Sequence, residues 1–383
     1  MFSPFRWLKN KKLNRERIIA LDILRGIFIV IVAVDHFAWT PSLFIQFATD
    51  KSWLFASAAE GFFVISGMLV GYIYGPRILS HMRSTVSRIW RRAFLLYTLA
   101  VGFTFLYVIW LQFLPSYPRL EPISLDPMNL IFQTFTLQFS YGWADFLNRY
   151  AVFMLVAPGV LWLVAKGRWY VAAGVSILLW TSQQFYPFFP NFFAWQILFV
   201  GGIVLGYYLP QIEMSIKALR SRQQKVLFFG VVGTGIISYI GVVVWLYAIQ
   251  FAHSISPPNL LWFFYDINFV YLTITDFLNR DTLGFLRIIV GCVWFISLFI
   301  LVRRYEHSIE KMTKGVFTLL GRNSLFVYCI HGFIIFLVDS IMLPPNPPNI
   351  LLNTLLGILF VTTLILLTYL KDRYSTYRKD RQL

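Results

Sequence analysis

Charge is scarce in this chain. Charged residues make up 13% of its 383 positions, about half the share usual in soluble domains. Acidic groups are scarcer still, 17 against 33 Lys and Arg. So little polar surface cannot clothe a water-soluble body of this size, which excludes a soluble enzyme, a secreted scaffold and a disordered chain. Cysteine is nearly absent: Cys292 and Cys329 lie far apart, each inside an apolar run. Neither a disulfide framework nor a thiolate metal site is expected, and no metal of any kind. There is no glycine-rich phosphate loop, internal repeat or low-complexity tract. The basic N-terminus precedes an apolar run that has no small-residue cleavage site, so it reads as a retained first span.

What the chain has in excess is hydrophobic sequence, 58% of residues, with a mean hydropathy of +0.67. A span needs about 20 apolar residues, and ten stretches qualify: roughly 19–38, 57–75, 93–114, 148–165, 169–186, 192–210, 226–250, 283–302, 316–339 and 350–370. The expectation is an all-α, polytopic transmembrane helix bundle of about ten spans. One membrane domain, 19–370, would lie between basic segments 1–18 and 371–383. With the N-terminus inside, 26 basic residues fall on the cytoplasmic side and five on the outer side. Both termini are therefore expected in the cytoplasm, with the chain in the plasma (inner) membrane and bathed in its lipid. This threading also accounts for the net charge of +16 without nucleic acid as a partner. Two further apolar stretches, 127–140 and 258–279, are interrupted by polar groups and flanked by prolines. They read as interfacial or re-entrant helices on the outer face.

Ionisable groups inside spans are costly, about 2.5–3.5 kcal/mol each on insertion scales, and are functional by default. Span one holds Asp22, Arg25, Asp35 and His36. At about 100° per residue, Asp22, Arg25 and His36 share one stripe and Asp35 lies to its side. Arg25 and His36 are about 16 Å apart along the axis. That stripe suits a polar tunnel, charged at its inner end and carrying an imidazole near its outer end. The bland alternative is an Asp22–Arg25 ion pair with His36 at the headgroups. Glu60, at the outer end of span two, sits at the level of His36. If the two meet, the carboxylate would fix the imidazole tautomer, as a general base requires. Gly67, Gly71 and Gly75 recur every fourth residue and read as a close-packing edge. The inner burst RILSHMRSTVSRIWRRAFLLY carries Arg88 and Arg91 at i,i+3, beside Arg92, where guanidinium groups suit phosphate as well as topology. His331, about 22 Å up span nine, comes near the level of His36, either catalytic or bonded within the bundle. Asp145, Arg149, Asp266, Asn268 and Asp276 fall in aromatic outer segments that suit carbohydrate or a membrane-interface belt.

Several of these blocks together resemble a known family. ERIIALDILRGIFIVIVAVDHF is similar to the first-span signature of glycan-modifying membrane acyltransferases, an RG pair followed by a histidine. EGFFVISGMLVGYIYG resembles their second-span motif, RIWRRAFLLY the arginine motif of span three, and NFFAWQILFVGGIVLG and LGRNSLFVYCIH two further blocks. The order and spacing are similar to the OpgC family of glucan succinyltransferases, within the acyltransferase type three superfamily, from residue 17 to about 370. The resemblance implies a cytoplasmic acyl-CoA donor, succinyl-CoA or acetyl-CoA, and a glycan or glucan acceptor outside. It implies His36 as catalytic base, with Glu60 as its acidic partner and Asp35 beside it. Arg88 and Arg91, with Arg92 and Arg25, would contact coenzyme A. Asp22, His331, Asp145 and Asn268 would line the tunnel or the acceptor site. The second-span acid is Glu, as in OpgC-like members, where the wider superfamily usually has Asp. The rival reading is a proton-coupled transporter or flippase using the same stripe, and a third is a scaffold with purely structural polar groups. Acyl group, glycan and oligomeric state are not legible.

Overall fold

The computed structural model describes residues 17–43, 54–113, 126–185, 191–254, 276–342 and 346–380. Among them there are twelve α-helices and no strand. They are α1 (Ile19–Phe37), α2 (Ala58–Tyr74), α3 (Met82–Leu111), α4 (Pro127–Phe135), α5 (Asp145–Ala165) and α6 (Trp169–Phe185). There follow α7 (Phe192–Lys217), α8 (Ser221–Ser254), α9 (Phe285–Met312), α10 (Val316–Arg322), α11 (Ser324–Ile341) and α12 (Ile350–Asp380). Among the described residues, eight helices are long and apolar enough to cross a bilayer. Of the other expected spans, α1 carries Asp22, Arg25 and Asp35, and α6 is 17 residues long. The architecture is an all-α membrane helix bundle.

One expected span takes a different form. The run 316–339 is not one helix but two, α10 and α11, parted at Asn323 (φ −102°, ψ 19°). The Asn323 amide Nδ2 donates to the Leu319 carbonyl (3.0 Å), and its Oδ1 accepts from Lys371 Nζ on α12. These side-chain bonds hold the backbone where the helical ladder is interrupted. Of the two interrupted outer stretches, the first contains α4. Asp126 accepts from the N–H groups of Met128 and Asn129, both at 3.1 Å, and Pro127 fills the first helical position, a strong start signal. Its nine residues span only about 13 Å, too short to cross. The second stretch lies almost wholly outside the described residues; of it, a single 3₁₀ turn, Asp276–Leu278, is described.

Close backbone approach organises the bundle. Helix α1 packs on α2, α9, α10, α11 and α12, and Ala20, Leu21, Ile23, Leu24, Ile29 and Ala33 along it are wholly buried. A Cβ at Gly26 would lie 2.0 Å from the Phe317 carbonyl oxygen, and one at Gly321 would lie 1.8 Å from that of Asp22. Helices α1 and α10 therefore touch backbone to backbone, which neither position allows with a larger residue. The same device joins α2 to α7: Gly67 and Gly71 face Phe199 and Ile203, while Gly202 and Gly206 face Val64 and Met68. The four-residue glycine spacing on α2 is a packing edge, as small residues are between membrane helices. Helix α8 lies at the opposite extreme, with Phe229, Ile236, Ile237, Ile240 and Val244 all exposed, an apolar face suited to lipid.

Gly321→Val therefore drives a side chain into the α1 backbone, at a cost of about 1–3 kcal/mol or more. In contrast, a Cβ at Gly102 meets nothing, and Gly102→Ala is expected to be neutral or stabilising by up to ~1 kcal/mol. Thermal unfolding of the two variants in detergent reads the difference. Equal midpoints would sink the close-contact account.

Candidate active site

At one end of the bundle, near the C-terminus of α1, three rings meet. His36, in the last turn of α1, has its Nδ1 2.9 Å from Nε2 of His331 on α11. Trp143 stacks on the other side of the His36 imidazole, ring centroids 3.8 Å apart and 11° from parallel. Trp143 belongs to a 3₁₀ turn, Gly142–Ala144, that leads into α5; Gly142 there has φ +58°, which favours glycine. The Trp143 carbonyl accepts from the Tyr328 hydroxyl (2.8 Å), fixing the turn to α11. His331 is fully buried, and its Nδ1 has no hydrogen-bond partner among the described residues. His331 thus came correctly to the level of His36 by helical depth alone. Trp143 carried no signal in the sequence beyond aromaticity.

His36 opens into a small cavity of about 100 Å³ whose polar lining includes Asp145, Arg149, Arg280 and Tyr328. The first two form an i,i+4 ion pair at 3.0 Å, and Arg149 also lies over the Trp195 ring, 5.2 Å from its centroid. Indole faces, guanidinium groups and a carboxylate beside an imidazole can hold a hydroxylated ligand and take its proton. Asp35 is buried on another side of α1 and does not line this cavity. Asn268, the remaining acceptor-site candidate, lies outside the described residues, as does Asp266.

Glu60 departs from expectation. Rather than meeting His36, its carboxylate accepts from Arg287 Nε on α9 and from the Ser57 backbone N–H of its own helix. The cause is rotational: Ala59 and Phe62 line the His36 cavity, whereas Glu60 and Gly61 line two other cavities between α2 and α9. One residue along a helix turns a side chain by about 100°. Glu60 and Arg287 are 5% and 4% exposed as side chains, so their pairing offsets the cost of burying each charge. In the sequence Arg287 is one of the five basic residues assigned to the outer side; its place just inside the apolar run 283–302 is the signal that points to this pair.

The opposite end, at the start of α1, is equally specific. Asp22 pairs with Arg17 (2.6 Å), not with Arg25. Arg25 donates to the Ser324 hydroxyl at the start of α11, immediately after the break, while its buried Nε–H has no hydrogen-bond partner among the described residues. Tyr150 and Arg92 are its electrostatic neighbours, and Arg92 itself lies over the Tyr150 ring, 5.7 Å from the centroid. Arg88 and Arg91 are exposed. The expected inner cluster therefore divides: Arg25 and Arg92 turn toward the bundle, the other two toward its surface. A second network closes this end. Glu306 on α9 accepts from the Ala20 backbone N–H (3.0 Å), and Arg303 bonds both Glu306 and Glu213 on α7.

Fold and site together define a multi-pass membrane protein with an imidazole pair at one end, one ring buried and the other half-buried, and inward guanidinium groups at the other. The family model described as OpgC protein matches residues 17–376. The chain belongs to the OpgC family, whose membership points to a glucan-modifying membrane acyltransferase. No curated protein matches the chain.

Breaking the Glu60–Arg287 pair tests its role. Arg287→Met leaves a buried carboxylate unpaired and is expected to cost about 3–5 kcal/mol. Adding Glu60→Gln, which removes the charge yet can still accept from Ser57, should restore much of the thermal stability in detergent. A single variant as stable as the parent would refute the pairing.

Proposed function

We propose that the protein is an O-acyltransferase that moves an acyl group from cytoplasmic acyl-CoA to a hydroxyl of a glycan outside the membrane. The observation that carries this reading is the placement of His36. Its Nδ1 is taken up by His331, its face is covered by Trp143, and it borders the cavity shared with Asp145 and Arg149. In the tautomer proposed for this pair, His331 carries its proton at Nδ1 and its Nε2 accepts from His36 Nδ1–H. The lone pair of His36 Nε2 then faces the acceptor, the tautomer a general base needs.

The chemistry balances on these groups. His36 Nε2 takes the proton as the glycan oxygen attacks the thioester carbonyl; the carbon–sulfur bond breaks, and the imidazolium returns the proton to the departing thiolate. His331 holds the ring throughout and is a positioning residue. Glu60 is placed in the Arg287 clamp and not in proton transfer. Arg25 and Arg92 are the contacts proposed for coenzyme A, because an inward guanidinium pair with an unanswered N–H suits phosphate or carbonyl oxygen. Arg88, exposed at the same helix end, is their proposed outer companion. A succinyl or acetyl group as cargo and a glucan as acceptor are proposed on family membership alone. The plasma membrane as location, with both termini cytoplasmic, follows from the distribution of basic residues.

One observation favours a second reading. A discontinuous helix beside a basic side chain, as at Asn323 with Arg25 and Lys371, is a feature of secondary transporters. The purified protein in liposomes, offered acyl-CoA donors and oligosaccharides, separates the two. Acceptor-dependent release of coenzyme A is expected, falling by at least about a hundredfold in His36→Ala. In His331→Ala a smaller loss is expected, together with a displaced pH profile. Proton-coupled uptake without thioester cleavage would instead establish transport.

A further inference from the structure

The first three turns of α3 present two parallel ridges on the side away from the bundle. Arg83, Ser87 and Arg91 recur at i,i+4,i+8, and Met82, Val86, Trp90 and Phe94 recur at the same interval beside them. Residues four apart lie one above another on a helix, so one ridge is cationic and hydroxylic and the other apolar. Together the seven residues line an open groove of about 670 Å³. The buried face of α3, with Thr85, Ile89, Ala93 and Leu96, lies on another side of the helix.

The groove has features of a built site. Trp90 is half exposed, yet its Nε1–H donates to the Leu155 carbonyl of α5 (3.1 Å), which fixes the indole as one wall. Phe94 continues that wall deeper into the membrane, 68% exposed. No ion pair among the described residues uses Arg83 or Arg91. Helical side chains lean toward the N-terminus; Arg91 therefore reaches back over Ser87 toward Arg83. This brings two guanidinium groups and a hydroxyl to the membrane–water boundary, with aromatic and aliphatic surface directly below. A phosphodiester with an acyl chain attached is the ligand that matches both ridges at once.

We propose that this groove binds an anionic phospholipid of the leaflet at the N-terminal end of α3. The phosphate rests on Arg83, Ser87 and Arg91, and one acyl chain lies along Val86, Trp90 and Phe94. The site is separate from Arg25, which is on α1, and from Arg92, which lies on a different side of α3, and coenzyme A does not compete for it.

The test uses the full chain in lipid nanodiscs of equal phosphatidylglycerol and phosphatidylcholine, with the lipid retained on release read by native mass spectrometry. Phosphatidylglycerol is expected to be preferred on the order of tenfold, falling to about twofold or less in Arg83→Gln/Arg91→Gln. Arg222→Gln/Lys225→Gln, which removes the same charge from exposed positions of α8, should keep the preference. Coenzyme A added to the parent protein should leave the lipid in place. The proposal is overturned if the α3 double variant keeps the preference, if the α8 variant loses it equally, or if coenzyme A displaces the lipid. Should the double variant fail to fold by thermal melting, Arg91→Gln alone carries the test, with a preference between those of the parent and the double variant expected and an unchanged preference counting against the site.

Discussion

Placing charge in hydrocarbon is the constraint from which most of this structure follows. Helix α1 carries Asp22, Arg25, Asp35 and His36, and alone in lipid it would bear several insertion penalties at once. It is tolerated because other helices wrap it, and they wrap it tightly because Gly26 and Gly321 allow α10 to rest on its backbone. The RG pair thus has two duties in adjacent residues: the arginine reaches Ser324, and the glycine admits the helix that precedes Ser324. Both outcomes depend on one close contact.

The other buried charges obey the same rule by different means. Glu60 and Arg287 neutralise each other across α2 and α9. Arg303 bridges Glu213 and Glu306, and Glu306 in turn answers a backbone N–H at the start of α1. Lys371 reaches Asn323 from α12. Apart from Arg303–Glu306, which lies within α9, these bonds join segments distant in sequence, and they leave the exposed face of α8 apolar. Among the described residues, His36 stands apart from these pairs because it borders a cavity while bonded to His331.

Much of this was legible in one dimension, and the physical reason differs element by element. Apolar runs mark helices because the bilayer fixes their length, so all ten runs fall on helices. Depth along a helix is likewise arithmetic, which is why His331 fell level with His36. Azimuth between helices is not: Glu60 was placed at the right height but on the wrong side, because nothing local records how α2 is rotated against α1. The break at Asn323 was hidden by the apolar residues flanking it, although Gly-Arg-Asn-Ser at the inner end of a span was an audible warning. Trp143 depends on a turn whose position is set by tertiary contacts, and Asn268 lies where the structure gives no description.

The seam between α1 and α11 has an electrical side. Its rungs are Arg25 with Ser324 and His36 with His331. On α1 the residues between them on the same face are Ile29 and Val32, and on α11 Val327 and Tyr328, all buried. A continuous file of polar groups here would short-circuit any ion gradient held across the membrane. Ile29, Val32 and Val327, with the Tyr328 hydroxyl turned to the Trp143 carbonyl at the His36 end, insulate the two ends from each other: they offer a proton nothing to hop along, while an acyl chain would find them no different from lipid.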